Sequence, residues 1–264
     1  MRRRGWVVAM ALGVLPGAMT AQAVAGQEIQ SEVTRAQDGT IRLAYATRPG
    51  VEICDQGIRM GDHQMMWRSH GRDDRPSNCT VGSVEVELDV RDGRVRDVDV
   101  VQGTRDRTPG AVEMGEVGAQ EAVDYFMGLA RSGRRSAAKE AVFPAMLADV
   151  EEVWRDLMSL AKDGDVQSDV RKNALFWVGQ EAASAATEGL ADVARDDDED
   201  QEVRNAAVFA LSQRPDDEAV PILMDVARTA ADSETRRTAM FWLAQADDER
   251  VLSFFEDILT GRGG

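Results

Sequence analysis

Histidine and cysteine are almost missing from this chain. It has two of each in 264 residues, and all four fall in one stretch, as Cys54, His63, His70 and Cys79. The C-terminal half therefore carries neither an imidazole nor a thiol, which excludes from it the acid–base, nucleophilic and soft-metal chemistry those groups supply. Positive charge is short as well: 31 Lys and Arg stand against 47 Asp and Glu, for a formal net charge of −16. Such a surface repels phosphates, so neither a nucleic acid nor an anionic lipid surface is an expected partner. Long apolar runs are lacking too. The one candidate, from Gly5 to Leu15, falls short of the roughly 20 residues that cross a bilayer. With 7 prolines and 43% hydrophobic residues, the composition is that of folded, soluble material.

What is present begins with a leader. Arg2-Arg3-Arg4, the apolar stretch, the breakers Pro16 and Gly17, and the small residues Ala21, Ala23 and Ala25 are the parts of a secretory signal peptide. Residues 1–25 are assigned to it, with cleavage after Ala23 or Ala25. An uncleaved anchor is the competing reading, and the paired arginines leave a Tat route open. Export is the expected localisation, periplasmic or extracellular, with no stable membrane insertion after cleavage.

Residues 27–102 change to period two. Ile41, Leu43 and Tyr45 alternate with Arg42, Ala44 and Ala46, and Val84, Val86, Leu88 and Val90 alternate with acids. Asp92-Gly93 supplies a hairpin turn, and the change of parity between Val95 and Val98 calls for a bulge. A small, mostly antiparallel β domain follows. Within it, two cysteines flanking a loop in an exported chain most simply form a Cys54–Cys79 disulfide. A Cys2His2 zinc site draws on the same four residues, but their spacing lacks the close pairs of usual zinc modules. The same residue types would also allow free thiols, or a cysteine nucleophile with a histidine base. No metal and no cofactor are expected. Residues 103–112, polar and broken by Pro109 and Gly110, read as a linker.

From 113 to 264 the pattern is helical and repeats. Val170, Val203 and Thr235 open three near-copies of one eleven-residue stretch, spaced 33 and then 32 residues apart. Leu157 and Leu160 recur on the same period as Leu190 and Val193, Leu223 and Val226, then Phe255 and Ile258. A period of this length marks stacked helix–turn–helix units that depend on their neighbours for burial. Acidic turns join the two helices of each unit, where Asp side chains favour a helix N-terminus. The register resembles the short, phycobilisome-lyase-like HEAT repeat. Its pattern appears as Asp169-Val170-Arg171-Lys172-Asn173-Ala174-Leu175 and as Ala219-Val220-Pro221-Ile222-Leu223, with Pro221 expected in a first helical turn. Ala137 to Leu147 looks like an eroded earlier unit carrying Phe143 in register, and a closing helix from Asp248 to Thr260 is expected to cap the stack. The resemblance implies a scaffold and no lyase activity. It also implies that Arg171, Arg204 and Arg236 form a ladder to turn carboxylates and carbonyls of the adjacent unit.

The fold class expected is α+β, a small antiparallel β domain followed by an α-solenoid. Val170, Ala174, Leu175 and Val178, with their counterparts, make the buried stripe. Phe176, Phe209 and Phe241 occupy a place the family pattern leaves open. Lys172, Asn205 and Arg237 lie four residues before them, and Gln180, Gln213 and Gln245 four after. Stacked units set these side chains in rows on the concave side. Either the rings dock a peptide or a helix of another protein, or they fill the gaps between units together with Trp177 and Trp242. The expected function is an exported, non-catalytic protein-binding scaffold. The competing reading is a regulatory or assembly factor for an exported enzyme such as a peptidase, with the β domain making the specific contact.

Overall fold

Residues 27–55, 57–60, 78–103, 107–181 and 183–261 are described by a computed structural model. The proposed leader, His63 and His70 lie outside them. The alternating segments become β1 (Gly39–Ala46), β5 (Ser83–Arg91) and β6 (Arg94–Val100), while β2 (Val51–Cys54), β3 (Gly57–Met60) and β4 (Cys79–Val81) form a second, three-stranded antiparallel sheet. Ile41, Leu43 and Tyr45 are buried on one face of β1, as period two requires. The β5–β6 turn holds Asp92 at φ 53° and Gly93 at φ 64°, the two positive values that a tight hairpin of right-twisted strands needs. Asp89 pairs with Asp97 and Val90 with Val95, so Arg96 is the extra residue of a bulge. That insertion returns both Val95 and Val98 to the buried side.

Two parts of this region differ from the sequence expectation. Residues Gln27–Ala36 form a helix, α1, which seats Ile29 and Val33 in the core one turn apart. The first sheet is antiparallel through β6-β5-β1, as expected, and gains an edge strand, β7 (Val112–Glu116), that runs parallel to β1. The stretch expected as a linker leads straight into this strand and is bonded to the sheet. Buried Arg42 donates to Glu87 at 2.5 Å and to the Thr108 carbonyl at 3.0 Å, and pairs with Glu113 of β7. Glu87 in turn accepts from the Thr108 amide and hydroxyl. These charge-assisted bonds hold the carboxyl of Glu87 below its ordinary range against the opposing effect of burial.

The helices follow as α2 (Ala119–Ser132), α3 (Arg135–Glu140), α4 (Val142–Leu147), α5 (Val153–Ala161), α6 (Ser168–Gly179), α7 (Ser184–Arg195), α8 (Gln201–Leu211), α9 (Asp216–Thr229), α10 (Ser233–Leu243) and α11 (Glu249–Thr260). The eroded unit is α2 with the broken pair α3 and α4. The break at Ala141 places Pro144 in the first turn of α4, where its missing N–H costs nothing. Pro221, by contrast, lies inside α9, which starts earlier than expected, at Asp216; the ring faces solvent. Sheet and helices share one core. Tyr45 packs on Phe126 with centroids 6.0 Å apart and donates to the Pro144 carbonyl, and the end of β1 bonds to Leu147 and Asp149 across a Thr47–Ala148 bridge.

Candidate docking face on the second helices

Three helix pairs stack in order, α5 with α6, α7 with α8 and α9 with α10, and the second helices approach one another more closely than the first helices do. A small residue sets this distance. A Cβ at Gly179 would lie 2.8 Å from the Ala210 carbonyl oxygen and 3.0 Å from its Cα, so only glycine lets α6 touch α8 here. The row α6, α8, α10 is therefore the more closely packed side of the stack.

The arginine ladder joins the units. Arg171, 3% exposed, donates to the Ala161 carbonyl of its own turn and pairs with Glu199 of the next unit. Arg204 repeats this one unit on: it donates to the carbonyls of Asp196, Asp197 and Glu199 in its own turn and reaches Thr235 and Asp232 of the next. Among the described residues, Arg236 bonds within its own turn, to Ala230 and Ala231. The carbonyls thus belong to the arginine's own unit, and side-chain oxygens, the Glu199 and Asp232 carboxylates and the Thr235 hydroxyl, come from its neighbour. Among the acidic turns, Asp232 caps α10 by accepting from the Thr235 amide, which lowers its pKa. The turns before α6 and α8 lack such a side-chain cap. Asp163 and Asp196 instead accept from the amides two residues on. One further buried guanidinium, Arg214, escaped sequence reasoning because it follows a helix and is outside the repeated stretch. It donates to Thr187, to the Ala183 carbonyl and to Glu218, tying α7 to α9.

The rings form one chain. Phe143 stacks on Trp177 at 4.7 Å, Trp177 meets Phe176 at 4.9 Å, Phe176 stacks on Phe209 at 6.2 Å with planes 9° apart, and Phe209 meets Trp242, which meets Phe241, both at 5.0 Å. Phe176 and Phe209 are half-buried; Phe241 is 56% exposed. Mutual packing and an exposed edge therefore coexist, with the balance moving toward exposure along the stack.

The flanking polar groups are less free than their spacing implies. Lys172 is held by Glu202 at 2.6 Å and by Asp169 at 3.1 Å, bonds that raise its pKa, and Arg237 pairs with Glu234. Asn205 keeps a buried Oδ1 without a hydrogen-bond partner among the described residues. Gln180, Gln213 and Gln245 stand at or just beyond the C-terminal ends of α6, α8 and α10, so they form a rim at the helix ends, not a row along the helices.

The family model for HEAT repeats matches residues 155–244 and 187–262. Residues 155–262 are thus similar to HEAT repeats, consistent with a HEAT-repeat protein in the C-terminal half. No curated protein matches the chain. HEAT repeats imply a protein-interaction scaffold with protein partners in general, and the family is typically non-catalytic. Outside the HEAT repeats, Cys54 and Cys79 sit opposite each other on β2 and β4 and are joined as a disulfide, with Cα atoms 4.0 Å apart. The bond consumes both thiolates that a Cys2His2 zinc site, or a cysteine nucleophile, would have used. Among the described residues, no helix is long and apolar enough to cross a membrane.

Proposed function

We propose that this protein is an exported, non-catalytic scaffold that docks a peptide or a helix of another protein on the second helices of its HEAT repeats. The observation that carries this reading is the continuous ring chain from Phe143 to Phe241, whose exposed end lies on the side where the second helices converge. Aromatic surface of this kind gives much contact area for little ordering entropy. Because Lys172 and Arg237 already have acidic partners, affinity would come from apolar contact and from amide groups at the helix ends such as Gln213, with the overall acidity favouring neutral or basic partners. Export is supported by the leader-like residues 1–25 and by a disulfide, which persists in oxidising compartments.

Affinity capture from the exported fraction, with the wild-type chain and the Phe176→Ala/Phe209→Ala/Phe241→Ala variant as paired baits, tests the proposal. A partner lost by the variant while its far-UV circular dichroism is retained supports the docking face. A partner captured equally by both baits removes it. The second reading, a regulatory or assembly factor acting through the β region, draws on the disulfide that ties the ends of the 55–78 segment; it predicts a partner lost on Cys54→Ser/Cys79→Ser and kept by the ring variant.

A further inference from the structure

The two edges of the four-stranded sheet have different surroundings. Along β6, helix α3 lies against the strand, and Glu140 accepts from the Val98 amide at 3.4 Å. Along β7, at the other edge, Val112, Glu113, Gly115 and Glu116 are exposed, and among the described residues β1 is the one strand paired with it. A strand edge of this kind offers amides and carbonyls as a template for one more strand.

The rows of the sheet specify the chemistry of that strand, because residues in register share a face. On the buried face one row runs through Val98, Leu88, Ile41 and Val112, with exposures of 5%, 0%, 0% and 45%. A further strand would bring an apolar side chain beside Val112 and cover it. On the other face the row is Asp99, Glu87, Arg42 and Glu113. Arg42 is buried and already shared by Glu87 and Glu113, whereas the Glu113 side chain is 61% exposed. The next place in this row calls for a cation. Met114 is the extra residue of a bulge, so Glu116 returns to the face of Glu113 and favours a second cation there. A second copy of β7 would instead add its own Glu113 and Glu116 to these, at a cost in a chain of net charge −16. We propose that β7 accepts an extended segment of a partner protein as a fifth strand, with an apolar residue beside Val112 and Lys or Arg beside Glu113 and Glu116. This edge is distinct from the ring chain, so each can be tested without the other.

The probe is a fluorescein-labelled peptide of residues 39–46 carrying Ala44→Lys. Its parent strand β1 already sets Ile41 beside Val112 and Arg42 beside Glu113, and the substitution supplies a cation for Glu116. Titrated against the full chain by fluorescence anisotropy at low ionic strength, it should bind saturably with a Kd on the order of 100 micromolar. The same peptide with its backbone amides N-methylated keeps its charge but cannot add as a strand, and should bind at least about tenfold more weakly. The chain variant Glu113→Gln/Glu116→Lys should weaken binding by a similar factor. Glu113→Gln keeps an acceptor for Arg42, and Glu116→Lys alone tests the edge without touching Arg42, so circular dichroism stays unchanged. The Phe176→Ala/Phe209→Ala/Phe241→Ala variant should bind like wild type. In hydrogen–deuterium exchange, amides within residues 112–116 should exchange quickly in the free chain and slowly with the peptide bound. Absence of saturable binding, equal binding of the N-methylated peptide, or equal binding to both charge variants overturns the proposal. So does slow exchange of all these amides in the free chain, because the chain then covers its own edge. A dimer in sedimentation equilibrium that the peptide disperses also overturns it, because the occupant is then a second copy.

Discussion

The two ends of the helical stack obey one sequence pattern and meet different fates. At the N-terminal end, the broken pair α3 and α4 is pressed against the sheet, and Ala137, Val142 and Leu147 are fully buried. At the other end, α11 presents Leu252 and Leu259 to solvent. The ladder and the rings grade between these limits: Arg171 is 3% exposed, Arg204 8%, and Arg236 stands half-exposed, while the phenylalanines open up toward Phe241. Burial in a stack is set by neighbours, so identical residues have unequal weights.

Arginine substitutions sharpen this difference most. Arg204→Ala removes a buried cation that satisfies three turn carbonyls and reaches Thr235, which should cost about 3 kcal/mol. Arg236→Ala, whose bonds among the described residues lie inside its own turn, should cost about 1 kcal/mol. Urea unfolding of the two variants measures both, and equal losses would break the grading. Next in size is Phe176→Ala. Phe176 is half-buried between Trp177 and Phe209, so the loss should be about 2 kcal/mol by the same measurement, less than a fully buried ring would lose.

Much of this was legible beforehand. The repeat period placed the three helix pairs, Asp92-Gly93 placed the hairpin, and the parity change around Val95 placed the bulge, because each is a local signal. What was not legible depends on distant partners. Strand β7 is short and mostly exposed, so Val112–Glu116 shows no alternation, and its parallel pairing with β1 spans a long sequence gap. The ten residues of α1 read as more of the β region because a single pair, Ile29 and Val33, carries its burial. In α11, Phe254-Phe255 and Ile258-Leu259 look like core on every side, and nothing within the helix reveals that Leu259 is exposed. Lys172 and Arg237 read as basic groups of a binding face, and only the fold brings Glu202 against Lys172.

The buried end also carries a carboxyl whose pKa is raised. Glu140 of α3 lies against β6, where burial and a hydrogen bond with Asp97 push its pKa up from 4.5 to about 7, opposed by Ser136 and the Val98 amide. The folded state then holds a proton that the unfolded chain releases. Stability should be fully present below the ordinary glutamate range and decline as pH rises through the window from about 4.5 to about 7. Glu140→Gln keeps the hydrogen bonding without the charge and should flatten that decline. Thermal unfolding from pH 4.5 to pH 7.5 checks it, and a variant with the wild-type slope would assign the pH dependence to other carboxyls, such as Asp99.

The smallest expected effect is the most telling about the docking face. Phe241 touches Trp242 edge-on and is 56% exposed, so Phe241→Ala should cost less than about 0.5 kcal/mol of stability. A large aromatic side chain that contributes so little to folding, at the open end of a row whose other members are half-buried, is better explained by a contact outside the chain than by packing within it. Urea unfolding of Phe241→Ala beside Phe176→Ala decides the point. If both lose about 2 kcal/mol, the rings act as core along their whole length and the docking reading loses its best-placed residue. If only Phe176→Ala does, the row divides into a packed part that holds the units in register and an exposed part that is free to bind.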